Sequence, residues 1–151
     1  MPLSKPAIQP VAPSRYPELL AVWEASVRAT HNFLSEADIA ALKPLILERY
    51  FAAVDLRCAV AEDGRVLGFV GMAKGKIEML FIAPEHRGRG IGTLLARHAI
   101  ERHGVTKVDV NEQNPQALGF YHSLGFRTVG RSATDGQGRP FPLLHLELGQ
   151  A

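Results

Sequence analysis

Cysteine is almost missing from this chain: Cys58 is the only one in 151 residues. A lone thiol excludes an internal disulfide and fits a reducing compartment. Its place inside the apolar run CAVA makes it a small buried hydrophobe rather than a nucleophile. Long apolar runs are missing too, and nothing approaches the roughly 18 residues needed to span a bilayer. The opening MPLSKPAIQP lacks the apolar stretch of a secretory signal. A cytoplasmic protein without a membrane partner is therefore expected. Charge of one sign is scarce, at a net +2, which argues against a nucleic-acid partner. The one basic cluster, HRGRG, has no interleaved aromatics, and Glu85 and Glu101 dilute it. Repeats and low-complexity tracts are absent. What remains is an ordinary globular composition, 46% hydrophobic and 21% charged. Residues 1–151 read as a single domain, of a size that buries roughly 68–70% of its unfolded surface.

The apolar pattern changes period along the chain. AIQPVA (7–12) is a short strand, placed at a sheet edge by Pro10. Ser14 is a candidate cap for a helix from Arg15 to about Thr30, with Leu19, Trp23 and Val27 spaced i, i+4, i+8. Ser35 and Asp38 can cap a second helix through ADIAALKPLILERYF, which Pro44 should interrupt or kink. LRCAVAED and RVLGFVGMAK then form two strands around the Asp63-Gly64 turn, and KIEMLFIAP is a third. A helix from about Ile91 to His103 ends on Gly104. TKVDVNE is a strand, Asn114-Pro115 opens another helix, and FRTVGRS and FPLLHLEL close the chain. The order β-α-α-β-β-β-α-β-α-β-β predicts an α/β fold with a mixed, mostly antiparallel sheet flanked by helices on both faces.

Between a strand and a helix stands RGRGIG, residues 87 to 92. The first amides of a helix lack intrahelical partners, and the helix dipole makes that end positive. Gly88, Gly90 and Gly92 let an oxyanion approach those amides, and Arg87 and Arg89 add attraction. The arrangement suits a pyrophosphate. The spacing is neither that of a nucleoside triphosphatase loop nor that of a dinucleotide fold. Taken alone, it reads equally well as a tight turn with solvated arginines.

The context resolves the choice. LFIAPEHRGRGIG resembles the R/Q-x-x-G-x-G/A segment of the GNAT superfamily of N-acetyltransferases, matched at Arg87, Gly90 and Gly92. NEQNPQALGFYHSLGF resembles that superfamily's second signature, met at Asn114, Ala117, Phe120, Tyr121, Gly125 and Phe126. More narrowly, SVRATHNFL, VNEQN and GRPFPLLHLEL resemble the bacterial YjaB-type subgroup. The resemblance implies acetyl-CoA as cofactor. Its arm would lie along Leu80, Phe81 and Ile82, as an added strand does. The amides from Arg87 to Thr93, Ile91 included, would hold its pyrophosphate. Asn114, Ala117 and Phe120 would complete that site.

The resemblance makes Tyr121 the general acid for the leaving thiolate, although its spacing from Ala117, Leu118 and Leu124 by itself suits a core tyrosine. A lysine-like amine, with a pKa near 10.4, must first lose a proton. Glu78 is the candidate base, counted by alternation onto the strand face of Leu80 and Ile82; Glu112 and His145 stand in reserve. An isolated carboxylate needs burial or a water chain for that task. The acceptor groove is expected to draw on Arg28, His31, Asn32 and Phe33, with Arg139 and Phe141 opposite. The subgroup implies a peptidyl-lysine acceptor; a small amine, or a non-catalytic sensor of acyl-CoA, is the alternative. A monomer or homodimer is expected. So is the absence of a metal, because His98 and His103, at i, i+5, are poorly spaced as ligands.

Overall fold

The computed structural model describes residues 6–30, 34–136 and 138–149. The chain opens with β1 (Ala7–Pro10), which pairs only with β2 and forms one edge of the sheet, where Pro10 is tolerated. Helix α1 (Tyr16–Thr30) is entered through a 3₁₀ turn at Pro13–Arg15. Ser14 lies inside that turn instead of capping it, because Pro13 carries the pre-set φ of a first helical position and starts the turn earlier. The face of α1 holding Leu19, Trp23 and Val27 is buried, together with Val22 and Ser26.

Helix α2 (Glu36–Leu45) begins with a complete capping box: the Asp38 amide donates to Ser35 Oγ and the Ser35 amide to an Asp38 carboxylate oxygen, each at 3.0 Å. Pro44 sits inside it without breaking it. The following turn, Ile46–Tyr50, widens to π geometry, and α3 (Phe51–Ala53) closes the segment. The amide that Pro44 cannot supply is accommodated by a change of helix type.

Strands β2 (Asp55–Val60), β3 (Val66–Ala73) and β4 (Lys76–Ile82) form an antiparallel meander. Helix α4 (Ile91–His103) follows and ends on Gly104, whose φ of 67° suits a residue without a β-carbon. Strand β5 (Lys107–Asn111), helix α5 (Pro115–Ser123) and strands β6 (Phe126–Ser132) and β7 (Leu143–Leu148) complete the chain. The seven strands run in the order β1-β2-β3-β4-β5-β7-β6, all neighbours antiparallel except β4 and β5. One face packs its apolar residues with α4 and α5, the other with α1 and the α2 segment. The expected element order and architecture hold.

Two irregularities position the site. The parallel pair β4–β5 is joined only at Lys76–Lys107 and Ile77–Val108, after which the strands part and leave a wedge. In β4 the register slips: Met79 faces Gly71 and Ile77 faces Met72, so Glu78 bulges out of the pairing. Ile77, Leu80 and Ile82 then all join the core under α4 and α5, while Met79 and Phe81 join the other. The alternation that would put Glu78 on the face of Leu80 does not hold across this bulge.

Candidate active site

A cleft of about 340 Å³ opens at the wedge. One wall is β4, through Leu80, Phe81 and Ile82. The floor is the glycine turn and the start of α4: Arg87, Gly88, Gly90, Ile91, Gly92 and Thr93. The opposite wall comes from α5 and its cap, through Asn114, Ala117, Phe120 and Tyr121. Of the residues expected to hold a coenzyme, only Arg89 is not a wall residue; its side chain is exposed.

The turn's backbone explains its glycines. Gly88 and Gly90 have φ of +79° and +80°, a region that L side chains seldom enter. Gly90 caps α4 with no side-chain hydrogen bond, and the Leu94 amide donates to the Gly90 carbonyl, at 2.9 Å. The amides of Ile91, Gly92 and Thr93 thus belong to the helix end that seeks an outside acceptor. Gly92 is constrained differently: a β-carbon there would rest 3.5 Å from the Phe120 ring. These features fit an anionic group lodged at a helix N-terminus. The β5 side of β4, beyond the last β4–β5 pair, borders the wedge and fits an extended, amide-rich chain.

On the other wall, Asn114 caps α5, its Oδ1 accepting from the Ala117 amide at 3.1 Å. One turn further on, Tyr121 is 6% exposed, with its ring edge-on to Phe126 (centroids 5.7 Å apart) and to Phe120 (5.0 Å). Burial pushes its phenol well above the ordinary tyrosine value, so the hydroxyl keeps its proton at neutral pH. Tyr121 is thus both a core residue and a cleft residue.

Among the described residues, the other candidates are not wall residues of the cleft. Glu78 is exposed at its bulge and is not a wall residue. Glu112 is held in a bidentate pair with Arg131 (2.5 and 3.0 Å), whose guanidinium lowers its pKa. His145 hydrogen-bonds Asp109 and Ser132 outside the cleft walls. Arg28 is engaged by Glu24 and Glu36 on the surface. His31, Asn32 and Phe33 lie outside the described residues. His98 and His103 meet with ring nitrogens 3.2 Å apart, and no group of three His, Cys, Asp or Glu among the described residues is arranged to hold a metal ion.

The sequence reading missed Ser26, Thr30, His86 and Gln116, all wall residues. Ser26 and Thr30 are one turn apart on α1 and joined by a bond from Thr30 Oγ1 to the Ser26 carbonyl, 2.8 Å. A signal existed: Ser26 interrupts the apolar face of α1 and is its buried polar residue.

The chain has relatives among known proteins. The acetyltransferase (GNAT) domain family matches residues 54–128. Peptidyl-lysine N-acetyltransferase YjaB of Salmonella typhimurium is 42% identical over 129 residues, covering 85% of this chain and 88% of the relative. The chain belongs to the GNAT acetyltransferase family. It is thereby an acetyl-CoA-dependent N-acetyltransferase. YjaB of Escherichia coli is 41% identical over 85% of this chain and 87% of its own. The apo solution structure of Escherichia coli YjaB superposes with a TM-score of 0.85 at 38% identity over the whole of both chains. The structure of PaiA N-acetyltransferase from Thermoplasma acidophilum in complex with coenzyme A, at 19% identity, shares the fold with a TM-score of 0.72 over 99% of this chain and 100% of that one.

Proposed function

We propose that this GNAT enzyme acetylates the side-chain amine of a peptidyl lysine by direct attack, with Tyr121 as general acid and Glu78 as base. When bound, acetyl-CoA supplies an acetyl group activated as a thioester. The edge of β4 at Leu80–Ile82 orients the coenzyme's arm, and the amides of the glycine turn and the start of α4 hold its diphosphate. Tyr121 Oη holds the proton that the departing sulfur takes. Glu78 follows the last β4–β5 pair directly, at the base of the wedge, where it keeps contact with water. A water-linked carboxylate there takes the ammonium proton of the incoming lysine. The acceptor class rests on the YjaB relatives, and the lone buried Cys58 suits a cytoplasmic setting.

The observation that carries this reading is one cleft lined by the β4 edge, the first turn of α4 and Tyr121 together. Tyr121→Phe keeps the ring packing and removes the proton. With acetyl-CoA and a lysine peptide, kcat should fall well over tenfold while KM for acetyl-CoA changes little. Unchanged turnover would remove Tyr121 from the chemistry. For Glu78→Gln, the rising limb of kcat/KM against pH should shift or vanish; an unaltered limb assigns the base elsewhere.

A further inference from the structure

A second constellation stands on the sheet, away from the cleft walls. In β5 and β7, Val108, Val110, Leu144 and Leu146 pack toward the core shared with α5. Their alternates Asp109 and His145, paired directly across the two strands, face the other way. Strand β6 adds a residue to the row through a bulge. Its register slips between Thr128, opposite Leu146, and Gly130, opposite His145, which sets Val129 aside. Without the slip, Arg131 would stand opposite Leu143; with it, Ser132 does and shares the His145 face. Gly130 lies beneath the imidazole, where a β-carbon would already come within 3.5 Å of His145 Cδ2.

The contacts are directional. Ser132 Oγ is 2.6 Å from His145 Nε2, and His145 Nδ1 is 2.7 Å from Asp109 Oδ1. The other Asp109 oxygen is bound by Lys76 Nζ at 2.5 Å. A carboxylate only accepts, so Nδ1 of neutral His145 carries the ring proton and donates it to Asp109. Nε2 is then the acceptor, and the Ser132 hydroxyl donates to it. A hydroxyl bonded to a base, with the base oriented by a third group, has the arrangement of an activated nucleophile. Ser132 is half-buried and the His145 side chain is 37% exposed, so a small reagent can reach the hydroxyl.

The geometry points to a second acyl-transfer site, in which Ser132 is the nucleophile, His145 its base and Asp109 the positioning residue, and which takes small activated esters. Ser132 Oγ attacks the acyl carbon and its proton passes to His145 Nε2. The bond from carbon to the alcohol oxygen breaks, and that oxygen leaves with the proton from His145. Water, deprotonated by the same nitrogen, then cleaves the acyl-serine to the free acid and restores Ser132. A fluorophosphonate would stop at the first stage: Oγ bonds to phosphorus, fluoride departs and the proton stays on His145.

The full chain is treated with a fluorophosphonate and, separately, with p-nitrophenyl acetate, and adducts are mapped by peptide mass spectrometry. The expected result is an adduct on Ser132 that forms at least tenfold faster than on the exposed-side serines of the same molecule, such as Ser35. Ser132→Ala should lose it and retain coenzyme-dependent acetylation of a lysine peptide, so that failure here and failure of the acetyltransferase reading are distinguishable. His145→Gln, checked for an unaltered melting transition, should slow adduct formation at least tenfold. If Ser132 in the unaltered protein reacts no faster than Ser35, the row is a hydrogen-bonded ladder only and the proposal is overturned, whether or not the variants fold. A Ser132 adduct whose rate ignores a folded His145→Gln variant overturns it equally.

Discussion

The two halves of the sheet, on either side of the wedge, are built from different chemistry. In the β2–β3–β4 half, β3 is buried without a break from Val66 to Met72, with α1 and the α2 segment on one face and α4 on the other. In the β5–β7–β6 half, α5 covers one face, the charged pairs Lys107–Glu147 and Arg131–Glu112 lie along the strands, and Asp109 of β5 is paired with Lys76 of β4. Burial of apolar area stabilises by about 25 cal/mol per Å², whereas an exposed ion pair contributes about 0–1 kcal/mol. The first half, buried on both faces, therefore carries the larger share of the stability, while Val108, Val110, Phe126 and Leu146 bury one face of the second. The second half needs enough order to hold Tyr121 opposite β4, and the cleft lies where the two part.

Large-to-small substitutions should separate the halves most sharply. Phe69 on β3 is 0% exposed and lies among Phe51 and Phe81, with ring centroids 5.7 Å away in each case. Phe69→Ala should cost about 3–5 kcal/mol, lowering the melting midpoint by roughly 2–4 °C per kcal/mol. Val129, set out of the β6–β7 pairing by the bulge and 59% exposed, is the matching control; Val129→Ala should stay within about 0.5 kcal/mol. Equal losses at the two positions, read from thermal or urea unfolding, would contradict the division.

How far the sequence reveals this division depends on the range of the interactions. Element order, the Ser35–Asp38 capping box, the Gly104 stop and the Asn114 cap are local signals, and all were legible. So were the glycines of the turn, and the family resemblance implied most of the other wall residues of the cleft. The bulge at Glu78 was not, since counting by alternation assumes an unbroken ladder and nothing in KIEMLFI announces a slip. The π turn after Pro44 was legible only as an interruption. Ser26 and Thr30 were overlooked because an apolar-face count discards polar positions. The Ser132–His145–Asp109 row joins residues 13 and 36 apart through a register slip, which no local pattern encodes.

The junction between the halves can be tested at Gly92. A β-carbon there abuts Phe120, and the two further methyls of valine must enter the space between α4 and α5 or the cleft itself. Gly92→Val should raise KM for acetyl-CoA about tenfold or more, equivalent to about 1.4 kcal/mol of lost binding, with the fold retained. Unimpaired coenzyme binding by calorimetry would mean that the helix start is not the anion site.

The smallest expected effect concerns acid, and it tests the charged face of the second half. Lowered carboxyl pKa values in the first half, at Asp38 and Asp63, belong to a helix cap and a hairpin turn on the surface. Asp109 instead lies within a strand. Desolvation is the largest single influence on it and pushes its carboxyl up, but the hydrogen bonds from Lys76 and His145, with their charges, outweigh that and hold it below its ordinary value. A folded-state value below the unfolded one means stabilisation that is complete above the unfolded pKa of about 3.9 and disappears as pH falls through the folded value. Partial exposure limits the amount to about 1 kcal/mol or less. Urea unfolding of the unaltered protein and Asp109→Asn should therefore differ at pH 7 by no more than that, and the two free energies should converge below about pH 4 as the carboxylate protonates. A gap that persists undiminished into acid would show that Asp109 acts through packing, and the contrast between a half buried on both faces and a half with one charged face would lose its clearest member.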